Sequence, residues 1–393
     1  MINNLPSNWR IEKLGNVANY INGKAFKPTD WDNKGLPIIR IQNLNGNKEY
    51  NFYNKTIEKK YIVEDNDILI SWSASLDVYK WNGGQAVLNQ HIFNTEIDNS
   101  KITDTYFFYT IKKSLKEILS NLHGSTMKHI TKGKFERIEI LLPPLEQQEK
   151  IVTVLDLTSN LIEKQKKLLE KYDLFLKSKF IEMFGDPIKN PKNWEVVKLE
   201  NIVQKYKGAM RTGPFGSSLK KEFYVESGYK IYGQEQVIKN DFKYGNYYID
   251  NERYEKLKGY AIKEKDILIS LVGTFGKIAI VPTSFEEGII NPRLMKISLD
   301  TELYNPIFFK DLFYTEAFKA QLLNFSHGGT MGILNLTILK ELKYIKPPIE
   351  LQNKFASIVE KIETIKEKEN KKLKQIENLH NSLMQKAFNG EII

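Results

Sequence analysis

The sequence predicts an α+β protein built from two similar mixed α/β globular domains, each followed by a long helix, with the two helices packing antiparallel as a coiled coil. Three observations predict it. Residues 143–184 and 347–388 are two copies of one segment, aligned without a gap. The alignment pairs Pro143 with Pro347, Glu146 with Glu350, Gln148 with Gln352, Leu169 with Leu373, Ser178 with Ser382 and Phe184 with Phe388. Each copy opens on a proline pair, which suits the approach to a helix and its first turn, and then runs to its end without another proline. The duplication also reaches upstream. Pro6-Ser7-Asn8-Trp9 is matched by Pro191-Lys192-Asn193-Trp194, Asp67-Ile68-Leu69-Ile70-Ser71 by Asp266-Ile267-Leu268-Ile269-Ser270, and His123-Gly124-Ser125-Thr126-Met127 by His327-Gly328-Gly329-Thr330-Met331.

These islands divide the chain into a first domain (1–142), its long helix (143–184), a linker rich in turn residues (185–191), a second domain (192–346) and a second long helix (347–393). Within the domains, β-branched and aromatic runs bounded by Gly, Asn and Asp predict strands at residues 37–41, 67–71, 230–232, 266–272 and 277–281. Helical patterns follow at 105–120 and 306–325, and apolar runs at 135–142 and 339–345 lead into the prolines. Each long segment carries an apolar stripe at heptad spacing. In the first it is Leu155, Ile162, Leu169, Leu176 and Met183, flanked by Val154, Leu161, Leu168 and Phe175. In the second, Phe355, Ile358, Ile362 and Ile365 open it and Leu373, Ile376, Leu379 and Leu383 close it. Charge replaces apolar residues midway, at 163–167 and 366–372. A helix of about 38 residues spans roughly 57 Å. If the stripes pair, the second helix runs back along the first, giving a dumb-bell with pseudo-two-fold symmetry and neighbouring termini.

Composition narrows the function. With 393 residues, 41% of them hydrophobic, the chain can bury two or three cores. The absence of cysteine excludes disulfides and thiolate metal sites and fits a reducing cytoplasm. No run of 18 apolar residues and no apolar leader predict membrane insertion or secretion. A formal charge of +10 favours a polyanionic partner. Gly273-Thr274-Phe275-Gly276-Lys277 is too short between its glycines for a phosphate loop, and Ile278 stands where such a loop needs Ser or Thr, so a hairpin turn is predicted there. The five histidines are scattered, and Pro143-Pro144 and Pro347-Pro348 lack the preceding Asn or Asp of the base-methyltransferase tetrapeptide. No catalytic residue, metal site or cofactor site is predicted in this chain.

What remains is a set of donor-rich loops in corresponding parts of both halves. The first half offers Lys24, Lys27, Arg40, Gln42, Asn43, Ser71, Trp72, Asn89, Gln90, Ser125, Thr126 and Lys128. The second offers Arg211, Ser217, Gln234, Gln236, Thr274, Asn291, Arg293 and Thr330. Arg pairs bidentately with guanine and Asn or Gln with adenine, while Ser, Thr and glycine-turn N–H groups suit phosphates. These residues are the candidate DNA contacts.

A domain ending in Gly124-Ser125-Thr126 or Gly329-Thr330, an apolar strand, then Pro143-Pro144-Leu145-Glu146-Gln147-Gln148 or Pro347-Pro348-Ile349-Glu350-Leu351-Gln352 and a long helix, all written twice, resembles the specificity subunit of Type I restriction–modification enzymes. The resemblance covers essentially the whole chain, and the second copy departs from the first by Leu351 in place of Gln147. It implies two target-recognition domains that each read one half of a bipartite double-stranded DNA site. It also implies helices that fix the gap between half-sites and dock two methyltransferase subunits, with restriction subunits joining the full complex. S-adenosylmethionine, ATP and Mg would then reside on the partners. The alternatives are a specificity subunit of a Type IIB-like or other defence complex, or a coiled-coil adaptor without DNA specificity.

Overall fold

The computed structural model describes residues 6–121, 129–273, 276–324 and 334–391. They form two compact units: residues 1–166 with 371–393, and residues 167–370. Each unit therefore takes one end of each long helix.

In the first unit, a four-stranded antiparallel sheet runs in the order Ala18–Asn22, Ile92–Ile97, Ile68–Ser71, Asp77–Lys80. A second sheet runs Phe52–Tyr53, Leu36–Ile39, Ala86–Leu88, Ile62–Val63, with Leu36–Ile39 and Ala86–Leu88 parallel. Ile68, Leu69 and Ile70 are all buried because the strand is covered on both faces, which explains its unbroken apolar run. The second unit repeats the plan. Met210–Thr212, Leu294–Ile297, Ile267–Ser270 and Ile278–Ile280 form the antiparallel sheet, and Tyr248–Ile249, Tyr229–Tyr232 and Gly288–Ile290 the mixed one. A two-stranded ladder closes each domain, Arg10–Lys13 with Glu139–Leu142 and Glu195–Val197 with Tyr344–Lys346.

Three expectations need local correction. The first strand stops at Ile39, and Ile41–Leu44 is helical, because the Asn43 side chain accepts the Arg40 N–H (3.0 Å) and starts a turn. The pattern at 306–325 is two helices, Pro306–Tyr314 and Glu316–Asn324. Thr315 lies between them in an extended conformation, its hydroxyl accepting from the Phe318 N–H and donating to the Leu312 carbonyl. The apolar runs before the prolines each split into a short helix, Lys132–Glu136 or Leu336–Glu341, and the closing strand.

The long helices are Leu145–Phe184 and Ile349–Phe388. In the first unit the start of one packs on the end of the other: Ile151 and Leu155 share a core with Met384, Ala387 and Phe388, and Gly390 lies against Pro6. In the second unit Leu176, Phe180 and Phe184 share a core with Phe355 and Val359. Phe184 lies 4.6 Å from Phe308 and 5.4 Å from Phe355 between ring centroids, and each such pair adds about 0.5–1.5 kcal/mol beyond burial. In both units, then, the helices run antiparallel.

The seam differs from the expected stripe. Leu155 and Leu176 are buried and Ile162, Leu169, Ile358, Ile362, Leu373, Ile376 and Leu383 are half-buried, but Ile365 is exposed. A four-residue step from Ile362 reaches Lys366 instead, which turns toward Asp173 (2.7 Å) and Glu363 (2.8 Å). Leu161, Phe175 and Leu379, read as flanking or closing the stripe, are also exposed.

Candidate nucleic-acid interface

In the second unit four loops converge on Asn291. Its N–H donates to Tyr232 and its side-chain oxygen accepts the Arg293 N–H (2.8 and 2.9 Å). Gly213 donates to Leu294 (2.8 Å) and lies so close to the Asn291 carbonyl that a β-carbon would collide with it. Gly233 lies against the Asn291 amide, the Leu271 N–H donates to Arg293 (3.0 Å), and the Gln234 amide reaches the Val272 carbonyl.

The first unit makes the same junction, keeping the glycine and the asparagine and changing the side chains around them. Asn89 donates to Ile39 (3.1 Å), Gly23 packs on the Asn89 carbonyl, and the Trp72 N–H donates to His91 (3.3 Å). Even the next segment is held alike, since Ile130 donates to Trp72 (3.0 Å) and Leu334 to Leu271 (3.1 Å). A shared backbone frame thus presents loops whose side chains differ.

The candidate contacts fall into three groups. Lys27, Gln42, Gln90, Ser217 and Arg293 are exposed. Lys24, Arg40, Trp72, Asn89, Arg211, Gln234 and Asn291 are half-buried, with partners of their own. Lys24 donates to the Tyr53 hydroxyl (3.3 Å), and Arg40 reaches Asn51 while its guanidinium lies 5.2 Å from the exposed Trp31 ring. Arg211 stacks on Tyr260 at 3.9 Å. The Nε atoms of Arg40 and Trp72 (its Nε1) are buried without a hydrogen-bond partner. Ser125, Thr126, Lys128, Thr274 and Thr330 lie outside the described residues.

Asn43, Ser71 and Gln236 form the third group and are corrected: they are buried structural residues and do not face the outside. Asn43 accepts the Arg40 N–H and donates to the Asn47 and Glu49 carbonyls; Gln236 accepts the Gly233 N–H and donates to Tyr244, both bonds 2.9 Å. The two amides perform one task, starting a short helix and tying down the loop after it. The Ser71 hydroxyl accepts the Asp77 N–H (3.0 Å), as Ser270 accepts that of Lys277 (3.0 Å). Phe215, in the candidate loop between Arg211 and Ser217, is 85% exposed between Gly213-Pro214 and Gly216.

A family model described as the Type I restriction modification DNA specificity domain matches residues 6–171 and again 191–378. The chain belongs to the Type I restriction–modification specificity family. It is 25% identical to the EcoBI specificity subunit of Escherichia coli, over 99% of this chain and 87% of the relative. It is 26% identical to the MjaVIII specificity subunit of Methanocaldococcus jannaschii, over 99% and 94%. Its fold is similar to the crystal structure of the S subunit from M. genitalium, with TM-score 0.53, 17% identity and coverage of 98% and 97%. It is also similar to a chain from a structural study of complex assembly and conformational transition in the type I restriction–modification system, with TM-score 0.58, 15% identity and coverage of 99% and 100%.

In this specificity-family chain the repeated Pro-Pro-x-Glu-x-Gln segment has a visible structural task. Gln148 and Gln352 are fully buried. Gln148 accepts the Thr103 N–H and donates to the Lys101 and Pro143 carbonyls (2.8, 2.9 and 2.9 Å). Gln352 accepts the Asn305 N–H and donates to Leu303 and Pro347 (2.9, 3.2 and 2.8 Å). Each amide locks the start of a long helix to the start of the domain's own helix. The departure at Leu351 has a consequence: Trp9 donates to Gln147 (2.8 Å), whereas Trp194 donates to the Phe184 carbonyl (2.9 Å).

Proposed function

We propose that the chain is the DNA-recognition subunit of a Type I restriction–modification complex, each repeat reading one half of a bipartite, asymmetric double-stranded site. The observation that carries this reading is the pair of equivalent four-loop junctions with one frame and different side chains. Where the first repeat has Lys24 and Arg40, the second has Pro214 and Gly233, a difference that supports unlike half-sites. Lys and Arg supply salt-dependent attraction to phosphates, and loop side chains supply discrimination of about 1–3 kcal/mol per good bidentate pair.

The helices serve assembly and spacing. Val154, Leu161, Leu168 and Phe175 recur every seven residues beside the seam, and Leu161 and Phe175 are exposed. A heptad stripe half-buried at Val154 and Leu168 and exposed at Leu161 and Phe175, next to a paired one, suits helices of two methyltransferase subunits, through which restriction subunits join. The chain itself is non-catalytic in this reading and acts in the cytoplasm; S-adenosylmethionine, ATP and Mg belong to the partners, which flip and methylate adenine.

Selection of sites from random DNA by the chain assembled with its methyltransferase partner tests the reading. It predicts a gapped motif with two different halves. Identical inverted halves contradict the asymmetry, and equal binding to all sequences supports an adaptor instead.

A further inference from the structure

Phe215 differs from an ordinary exposed apolar side chain in how it is held. Its loop is pinned on one side by Gly213 against the Asn291 backbone and by buried Pro214, and on the other by buried Leu219. Between these anchors a 3-10 turn, Gly216–Ser218, closes with the Ser218 N–H donating to the Phe215 carbonyl (2.8 Å). The phenyl ring is therefore presented to water by a braced loop, with no ring or cation contact among the described residues. The loops of its junction carry Ser217 and the exposed Arg293, with Lys221 and the Glu222-paired Lys220 following in the chain, and Val272 is their other exposed apolar side chain. An interface with another protein's core would surround such a ring with further apolar groups. A single exposed ring among donor-bearing loops, with Val272 as the one other exposed apolar side chain on them, instead fits a small apolar feature within a polar, anionic groove. Among the base edges of the major groove, the thymine 5-methyl group is that feature. The first repeat lacks the equivalent, because Phe26 in its corresponding loop turns back onto Tyr53, ring to ring at 5.1 Å.

We propose, resting on the recognition role above, that Phe215 is a specificity-determining residue that contacts the 5-methyl group of one thymine in the half-site read by the second repeat. The contact excludes water from both surfaces and favours thymine over cytosine at that position.

The test uses the chain assembled with its methyltransferase partner, bound to its selected site, with each thymine of both half-sites replaced in turn by uracil. One uracil in the second repeat's half-site is expected to weaken binding about fourfold, the worth of one methyl group leaving water. Phe215→Ala is expected to bind the thymine site more weakly and to be indifferent to that uracil, while Phe215→Leu keeps part of the discrimination. Uracils in the other half-site affect wild type and variant equally. The proposal is overturned if Phe215→Ala discriminates thymine from uracil as the wild type does, or if the variant fails in assembly with the methyltransferase, which would make Phe215 a protein contact. If the wild-type complex selects no bipartite site, the recognition role itself falls, and that outcome is seen before any variant is made.

Discussion

Gln352 is buried with every polar atom of its amide engaged, and the cost of removing it follows from the groups left behind. Gln352→Leu strands the Asn305 N–H and the Leu303 and Pro347 carbonyls away from water. A loss of about 2–4 kcal/mol is predicted in urea unfolding, with the variant still folded in water. A change under about 0.5 kcal/mol would show that the amide is not a clamp. Asp311 makes the opposite case. Burial, with Glu363 nearby, pushes its carboxyl up to about 6, against the pull of Lys310 and Lys366. The folded state thus holds a proton that the unfolded state gives up near pH 4, and the stability this provides is present below that and lost as pH rises toward 6. Asp311→Asn is predicted to raise the unfolding midpoint at pH 7 and to flatten its pH dependence between about 4 and 6. A lower midpoint would mean that the charged carboxylate is useful to the fold. The sequence marked Gln148 and Gln352 by repetition but could not say that they act inward, because an amide's partners are set by tertiary approach. For the same reason Asn43 and Gln236 read as base contacts: an Asn in a loop looks alike whether it caps a helix or faces a groove.

Among the elements, the long helices and the apolar central strands were legible because repetition and unbroken apolar runs report burial directly. Register was not legible, since several inward positions are polar. Thr158 and His380 are both buried, and the hydroxyl lies 2.7 Å from Nδ1 of the ring. The repeat places Ile362 and Leu176 at the equivalent positions of the second unit, where both pack in the aromatic core. One helix pairing is thus marked by a polar contact and its counterpart by an apolar one. Burial, with Lys112 and Lys116 nearby, lowers the His380 pKa, so the folded state resists a proton that the unfolded state accepts below about pH 6.5. The contribution is full above that pH and lost as pH falls. His380→Leu combined with Thr158→Ile is predicted to remove part of the acid sensitivity of unfolding between about pH 5 and 6.5, which thermal melts can follow. An unchanged pH profile would show that the imidazole binds its proton equally in the folded and unfolded states.

At the scale of the whole molecule, duplication with divergence is the main fact. Matched positions keep backbone bonds while side chains change, as where Asn94 beside Asp67 is matched by the buried Lys296 beside Asp266. Among the described residues, the matched strands Ile68–Ser71 and Ile267–Ser270 and the paired Gln148 and Gln352 face inward, which is why the fold was readable and the contacts were not. If helix length sets the gap between half-sites, deleting one heptad from both long helices is predicted to change the preferred spacing and leave both half-sites as they were. Unchanged spacing would remove the helices' role as a ruler.

The central claim is that this chain chooses where its partners methylate. Long-read mapping of methylated adenine in the host DNA, with and without the intact gene for this chain, tests it most directly. The account predicts one gapped motif with two unlike halves that disappears when the chain is deleted. A motif that persists without the chain, or none in its presence, would contradict it.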